Sequence, residues 1–206
     1  MPAAMMNTPA FFDAVPAIAV VDALAETLGA ADGGVIEYRY VDAVKLAGHS
    51  CPTVAGAWLM TRAALRRLYP GETPRRGEIR VELRQAIDEG VAGVVASVAG
   101  LVTGAAHEGG FKGLAGRFAR QGLLRFGVPM SGEIRFTRVD NGRSVELSHQ
   151  PQGVPRPAGL SELLRDALGP HASPAMRRAF ADAWQGWVQA ILTKGADDPA
   201  LIEMVA

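Results

Sequence analysis

Asp140-Asn141-Gly142 separates two stretches, 132–139 and 143–148, in which apolar and polar residues alternate. A period of two marks a strand with one buried face, and an Asn-Gly turn joins such strands antiparallel. The chain must therefore build at least one hairpin whose inner face needs a cover. Residues 78–83, Glu-Ile-Arg-Val-Glu-Leu, alternate in the same way and put Ile79, Val81 and Leu83 on the core side.

The cover is helical. Val54, Trp58, Thr61, Leu65 and Leu68 recur at helical spacing, with Pro52 fitting the first turn and Pro70-Gly71 ending the run. Arg62, Arg66 and Arg67 fall mostly off that stripe. Residues 91–102, VAGVVASVAGLV, are small and apolar, which predicts a buried helix. Two further helices are expected at 160–168 and 174–193, the second with Phe180, Trp184 and Val188 on one face. Near the start, 11–28 reads as an amphipathic helix with Phe12, Val15, Ala19, Leu24 and Leu28 available for packing, stopped by Asp32-Gly33-Gly34. A strand over 35–41 then runs into the loop at His49.

Strands mixed with helices and a clear hairpin predict an α+β fold, a mixed or antiparallel sheet packed with helices and closed by a helical C-terminal segment. One domain over 1–206 is expected, with 1–34 as an N-terminal helical extension and 159–206 as helices packing on the core. Lys plus Arg and Asp plus Glu both total 21, so formal net charge is zero, which gives no support to nucleic-acid or membrane-surface binding. The N-terminal apolar run has no basic flank and is broken by Asp13, Asp22 and Glu26, so a cytoplasmic protein is expected.

Chemistry concentrates in Gly48-His49-Ser50-Cys51-Pro52, which holds the single cysteine. Imidazole and thiol are both good ligands for zinc or copper, and in extended backbone residues two apart point to one side. Two ligands do not complete a structural zinc site, which takes four. On spacing alone, a helix-cap cysteine beside an ordinary loop histidine is the commoner arrangement. His107-Glu108, framed by Gly104, Gly109, Gly110 and Gly113, is the best source of a further ligand, although a flexible connector explains that loop equally well. Lys112, Arg117, Arg120 and Arg125 lie in a stretch without an acid between Glu108 and Glu133, which suits either an anionic substrate or a solvated face. Cysteine nucleophilic catalysis is the rival reading, with Cys51 beside His49 and the amides of Thr53 and Val54 near a developing oxyanion. His149 and His171 flank the Pro-rich connector 151–158 and look incidental.

The order of these elements is similar to one known family. Gly48-His49-Ser50-Cys51-Pro52 before an Ala-rich helix resembles the Gly-His-x-Cys-Pro-Gly signature of the FmdE family, which takes its name from formylmethanofuran dehydrogenase. Gly93-Val94-Val95 through Thr103-Gly104 resembles its second stretch, and Phe111-Lys112-Gly113-Leu114 its Gly- and Lys-containing loop. The likeness runs over about residues 40–195. It implies an α+β core, a pocket lined by the His-x-Cys pair, zinc as the usual ion, and a homodimer. His49 and Cys51 would be ligands or catalytic groups, His107 a third ligand, and Lys112 and Arg117 the groups holding a small anionic substrate. An accessory partner of a one-carbon or redox enzyme is the alternative. Thr53 stands where the family has glycine, Ala105 and the region of Gly93 where many relatives have cysteine, and the C-terminal zinc finger of some relatives is lacking.

Overall fold

The computed structural model describes residues 7–195 and 197–205. In chain order its elements are β1 (Ile18–Val21), α1 (Ala23–Thr27), β2 (Val35–Tyr38), α2 (Tyr40–Ala47), α3 (Pro52–Leu68), β3 (Ile79–Leu83) and α4 (Ala92–Thr103). There follow β4 (Leu124–Arg125), β5 (Ile134–Arg138), β6 (Ser144–His149), α5 (Leu160–Leu168), α6 (Pro174–Lys194) and β7 (Ile202–Val205). A five-stranded sheet runs β4-β3-β5-β6-β7, antiparallel except for β3 with β4, and β1 pairs with β2 in a separate antiparallel ribbon. The fold is α+β.

The hairpin and its register follow the sequence pattern. Val81 faces Phe136 across β3 and β5, and Ile134 faces Leu147 across β5 and β6, so one face of the sheet is apolar. Ile79, Val81, Leu83, Ile134, Phe136 and Leu147 are all buried there. The opposite face carries the cross-strand pair Glu82–Arg135 and then Glu146, an alternation that leaves charge outward.

α3 covers the apolar face. The whole stripe Val54, Trp58, Thr61, Leu65 and Leu68 is buried, as are Ala55, Gly56, Ala57, Leu59, Met60 and Ala64. A helix buried on so many sides must meet several partners, and α3 packs on α2, α4, α6, β5, β6 and β7. Its far end is held by Arg138, which donates to the Leu68 carbonyl at 3.1 Å and lies 4.0 Å from the Tyr69 ring centroid. A cation at a helix C-terminus opposes the partial negative charge there.

The N-terminal expectation is corrected. Residues 11–28 are not one helix. A 3-10 turn at Ala10–Ala14 gives way to β1, and only α1 is α-helical. Pro16 cannot donate within a helix, and the β-branched run at 18–21 pairs instead with β2. Leu28 is exposed. The segment is no appendage, because Phe12 packs edge-on against Tyr40. The second strand stops at Tyr38, and the stretch before His49 is α2, started by Asp42 accepting the Arg39 amide at 2.9 Å. At the other end α5 and α6 form as expected, and β7 adds an edge strand that short alternation did not reveal.

One buried charge cluster ties three distant segments together. Asp22 caps α1 through the Leu24 amide at 2.9 Å and also accepts from Arg76 at 2.8 Å and Arg120 at 2.7 Å. Burial raises the Asp22 carboxyl, but the Arg76 and Arg120 guanidinium groups and the Ala25 amide together more than offset this and hold it below its ordinary 3.8. Its stabilising contribution is therefore full above about pH 4 and is lost as pH falls through the lowered value. Asp22→Ala leaves buried guanidinium charge uncompensated and should cost about 3 to 5 kcal/mol. Urea unfolding at pH 7 measures this, and a loss of under about 0.5 kcal/mol, as for an ordinary surface substitution, would reject the anchoring role.

Candidate functional site

Gly48 ends α2 in the left-handed conformation and Cys51 caps α3, so only His49 and Ser50 lie between the two helices. Cys51 is extended, and its Sγ accepts the Val54 amide at 3.5 Å. Cys51, 9% exposed, thus sits at the N-terminus of a 17-residue helix. The Val54 amide is committed to sulfur, which corrects the expectation that it faces an oxyanion.

His49 is exposed, and its Nδ1 lies 2.9 Å from the Ala47 carbonyl. A carbonyl only accepts, so Nδ1 donates its proton in this bond, and in a neutral ring Nε2 would be the acceptor nitrogen. Backbone carbonyls orient metal-binding histidines in this way. The imidazole points its proton at Ala47 and not at the thiol.

Ser50 is held from two sides. Its carbonyl accepts Trp184 Nε1 at 2.9 Å and Gln185 Nε2 at 3.2 Å, both from α6. Its hydroxyl bonds the Tyr40 hydroxyl of α2 at 3.0 Å. Tyr40 is buried between Phe12 and Trp58, ring centroids 5.0 and 6.1 Å away. Burial pushes its phenol well above the ordinary value, the Ser50 bond pulls it down in part, and Cys51 adds to the rise.

The remaining expected residues lie elsewhere. His107 is exposed, its ring edge-on to Phe126 at 5.7 Å, at a groove of about 400 Å³ that also takes in Leu46, Gly93, Ser97 and Leu101. That groove reaches the last turn of α2, three residues before His49, without including His49 or Cys51. Lys112 and Arg117 are exposed on a tight hairpin in which Leu114 and Arg117 exchange backbone bonds. Arg117 stacks over Phe118 at 4.9 Å. Arg120 is no part of a solvated basic face, since it is buried against Asp22.

Sequence reasoning missed Tyr40, Trp184 and Gln185, whose bonds to Ser50 link positions up to 135 apart in the chain. It also missed His149. That residue is on the core face of β6, and its ring lies where a Cβ on Gly56 of α3 would collide with it. The one available signal was Gly56, a glycine inside an otherwise strong helix pattern. His149 Nε2 is buried without a partner among the described residues.

The chain is thus an α+β protein with an imidazole–thiol pair at a helix start. Neither a family model nor a curated protein matches the sequence. Among the described residues no three His, Cys, Asp or Glu side chains gather as a metal-holding group. The donors His49 and Cys51 fit zinc in chemical type, but they do not by themselves complete its coordination. No helix among the described residues is long and apolar enough to cross a membrane.

Burial lowers His149 from 6.5 to about 4. Between these values the unfolded chain binds a proton that the folded one refuses, so stability falls as pH drops from 6.5 to 4 and levels off below. The change is on the order of 3 kcal/mol. His149→Gln should flatten this part of the profile, measured by urea unfolding from pH 4 to 7.5. An equal slope in both proteins would show that another group is responsible.

Proposed function

We propose that this chain is a metal-binding protein of the FmdE type, with His49 and Cys51 as the protein ligands of one transition-metal ion, zinc by preference. What carries the reading is the His49–Cys51 loop: the His49 Nδ1–H donates to the Ala47 carbonyl, which leaves Nε2 as the nitrogen for a metal, and a helix-capping sulfur follows two residues later. Thiolate and imidazole together favour zinc or copper over magnesium or calcium. The other positions on the ion are left to water, to a small anionic substrate, or to a side chain of a second copy, with the His107 loop as the source on that copy. A bound ion of this kind acts as a Lewis acid or lowers the pKa of its water. The chain's own part is to hold the two donors, to keep Cys51 shielded, and to offer Lys112 and Arg117 as exposed cations for an anion.

The two-donor limit also favours a second reading, an accessory protein whose ion is completed by a partner enzyme. A Cys51 nucleophile finds less support, because His49 turns its proton to Ala47.

Zinc titration of the purified protein, followed by calorimetry and by metal analysis after dialysis, tests the first reading. Wild type should retain the metal, and His49→Ala and Cys51→Ser should each weaken it by at least about tenfold, the loss of more than about 1.4 kcal/mol. Equal metal content in all three proteins would remove the proposal. Native mass spectrometry of the same samples separates a dimer-completed site from a single-chain one.

A further inference from the structure

We infer that Trp184 and Gln185 of α6 are positioning residues for Cys51, acting through the Ser50 carbonyl, so that the C-terminal helix belongs to the site. The inference rests on the reading of Cys51 as a site residue and adds what holds it in place.

The geometry is a clamp on one peptide group. A carbonyl oxygen has two lone pairs, and here both are occupied, by the indole N–H at 2.9 Å and the carboxamide N–H at 3.2 Å. The peptide unit is planar, so fixing the Ser50 oxygen fixes the plane from which the Cys51 side chain departs. The Tyr40–Ser50 hydroxyl bond at 3.0 Å holds the same residue from the opposite flank. With Ser50 held between α2 and α6, Cys51 keeps the extended backbone that lets Sγ receive the Val54 amide.

Gln185 can serve the clamp in only one orientation of its carboxamide. Its Oε1 is buried with no partner among the described residues, while its Nε2 faces Ser50. The reverse orientation would set two acceptors 3.2 Å apart, so the observed one is required. Trp184 is fixed in turn, with Phe180 at 5.6 Å and Trp187 at 5.8 Å between ring centroids, and Trp187 donates to the Val154 carbonyl at 3.0 Å. The aromatic row thus runs from the connector after β6 to the loop that carries the thiol.

The test uses Trp184→Phe, which removes the N–H and keeps a ring, Gln185→Leu, and the double variant in the full-length protein. Labelling of Cys51 by a disulfide reagent reports opening of the 48–51 loop, and urea unfolding reports global stability. Labelling in the double variant should accelerate at least about tenfold more than its global destabilisation accounts for, and zinc affinity should fall about tenfold or more, as when the outer partners of a metal ligand are removed. Labelling that rises only in step with global stability, or not at all, would overturn the inference. If wild type binds no zinc, the metal reading fails while the labelling comparison still decides the clamp. Trp184→Phe with unchanged labelling and Gln185→Leu with unchanged labelling would each acquit its own residue.

Discussion

α3 must lie close to a sheet and to three other helices at once, and only small side chains permit that on most of its circumference. Ala55, Gly56, Ala57, Ala63 and Ala64 meet this need, while Trp58, Leu65 and Leu68 fill the wider spaces. At Gly56 the His149 ring takes the volume a Cβ would occupy. Packing of that density transmits displacement, so the start of α3 has little freedom to move on its own. Cys51 is placed at that start. Its position is therefore set by the core, whereas His49, two residues earlier, is exposed and oriented by its bond to the Ala47 carbonyl.

Charge does at the loops what packing does in the middle. Asp22, Arg76 and Arg120 join the N-terminal ribbon, the segment before β3 and the long segment after α4. Arg76 also donates to the Leu101 carbonyl at 3.2 Å, near the α4 C-terminus, where a cation is favoured. The long segment is consequently pinned at Arg120 while Lys112 and Arg117, a few residues earlier, stand in solvent. A loop with a fixed base and an exposed cationic tip can reach toward an anion without loosening the core. This division of labour could not be seen in the charge pattern, where Arg120 and its neighbours read as one basic patch.

What was legible follows a simple physical division. α3, β3 and the β5–β6 hairpin each have a periodicity set by one buried face, α4 is marked by its small apolar run, and these elements and both C-terminal helices lie close to where the sequence puts them. The failures lie where a short element takes its identity from a distant partner. β1 is a strand because β2 and the chain near Arg75 pair with it, not because 18–21 alternates strongly. β7 is four residues long and exists as the fifth strand of a sheet already formed. α2 follows a strand after one residue, and its start depends on a carboxylate cap that the β-branched run conceals. Within the candidate site the same rule holds. His49 and Cys51 are neighbours in sequence and stand out there, whereas Trp184 and Gln185 arrive from the far end of the chain.

That rule bears on the proposed chemistry. A donor pair two residues apart can be kept by local sequence alone, but its orientation depends on α2, α3 and α6 meeting at Ser50. Two protein donors bind an ion less tightly than the four of a structural site, and they leave coordination positions open to exchange. On the proposed reading, affinity then depends strongly on how little the two donors must rearrange, since each immobilised side chain otherwise adds an entropic penalty. A clamp on the intervening residue is the economical remedy, because it fixes the sulfur without adding a ligand.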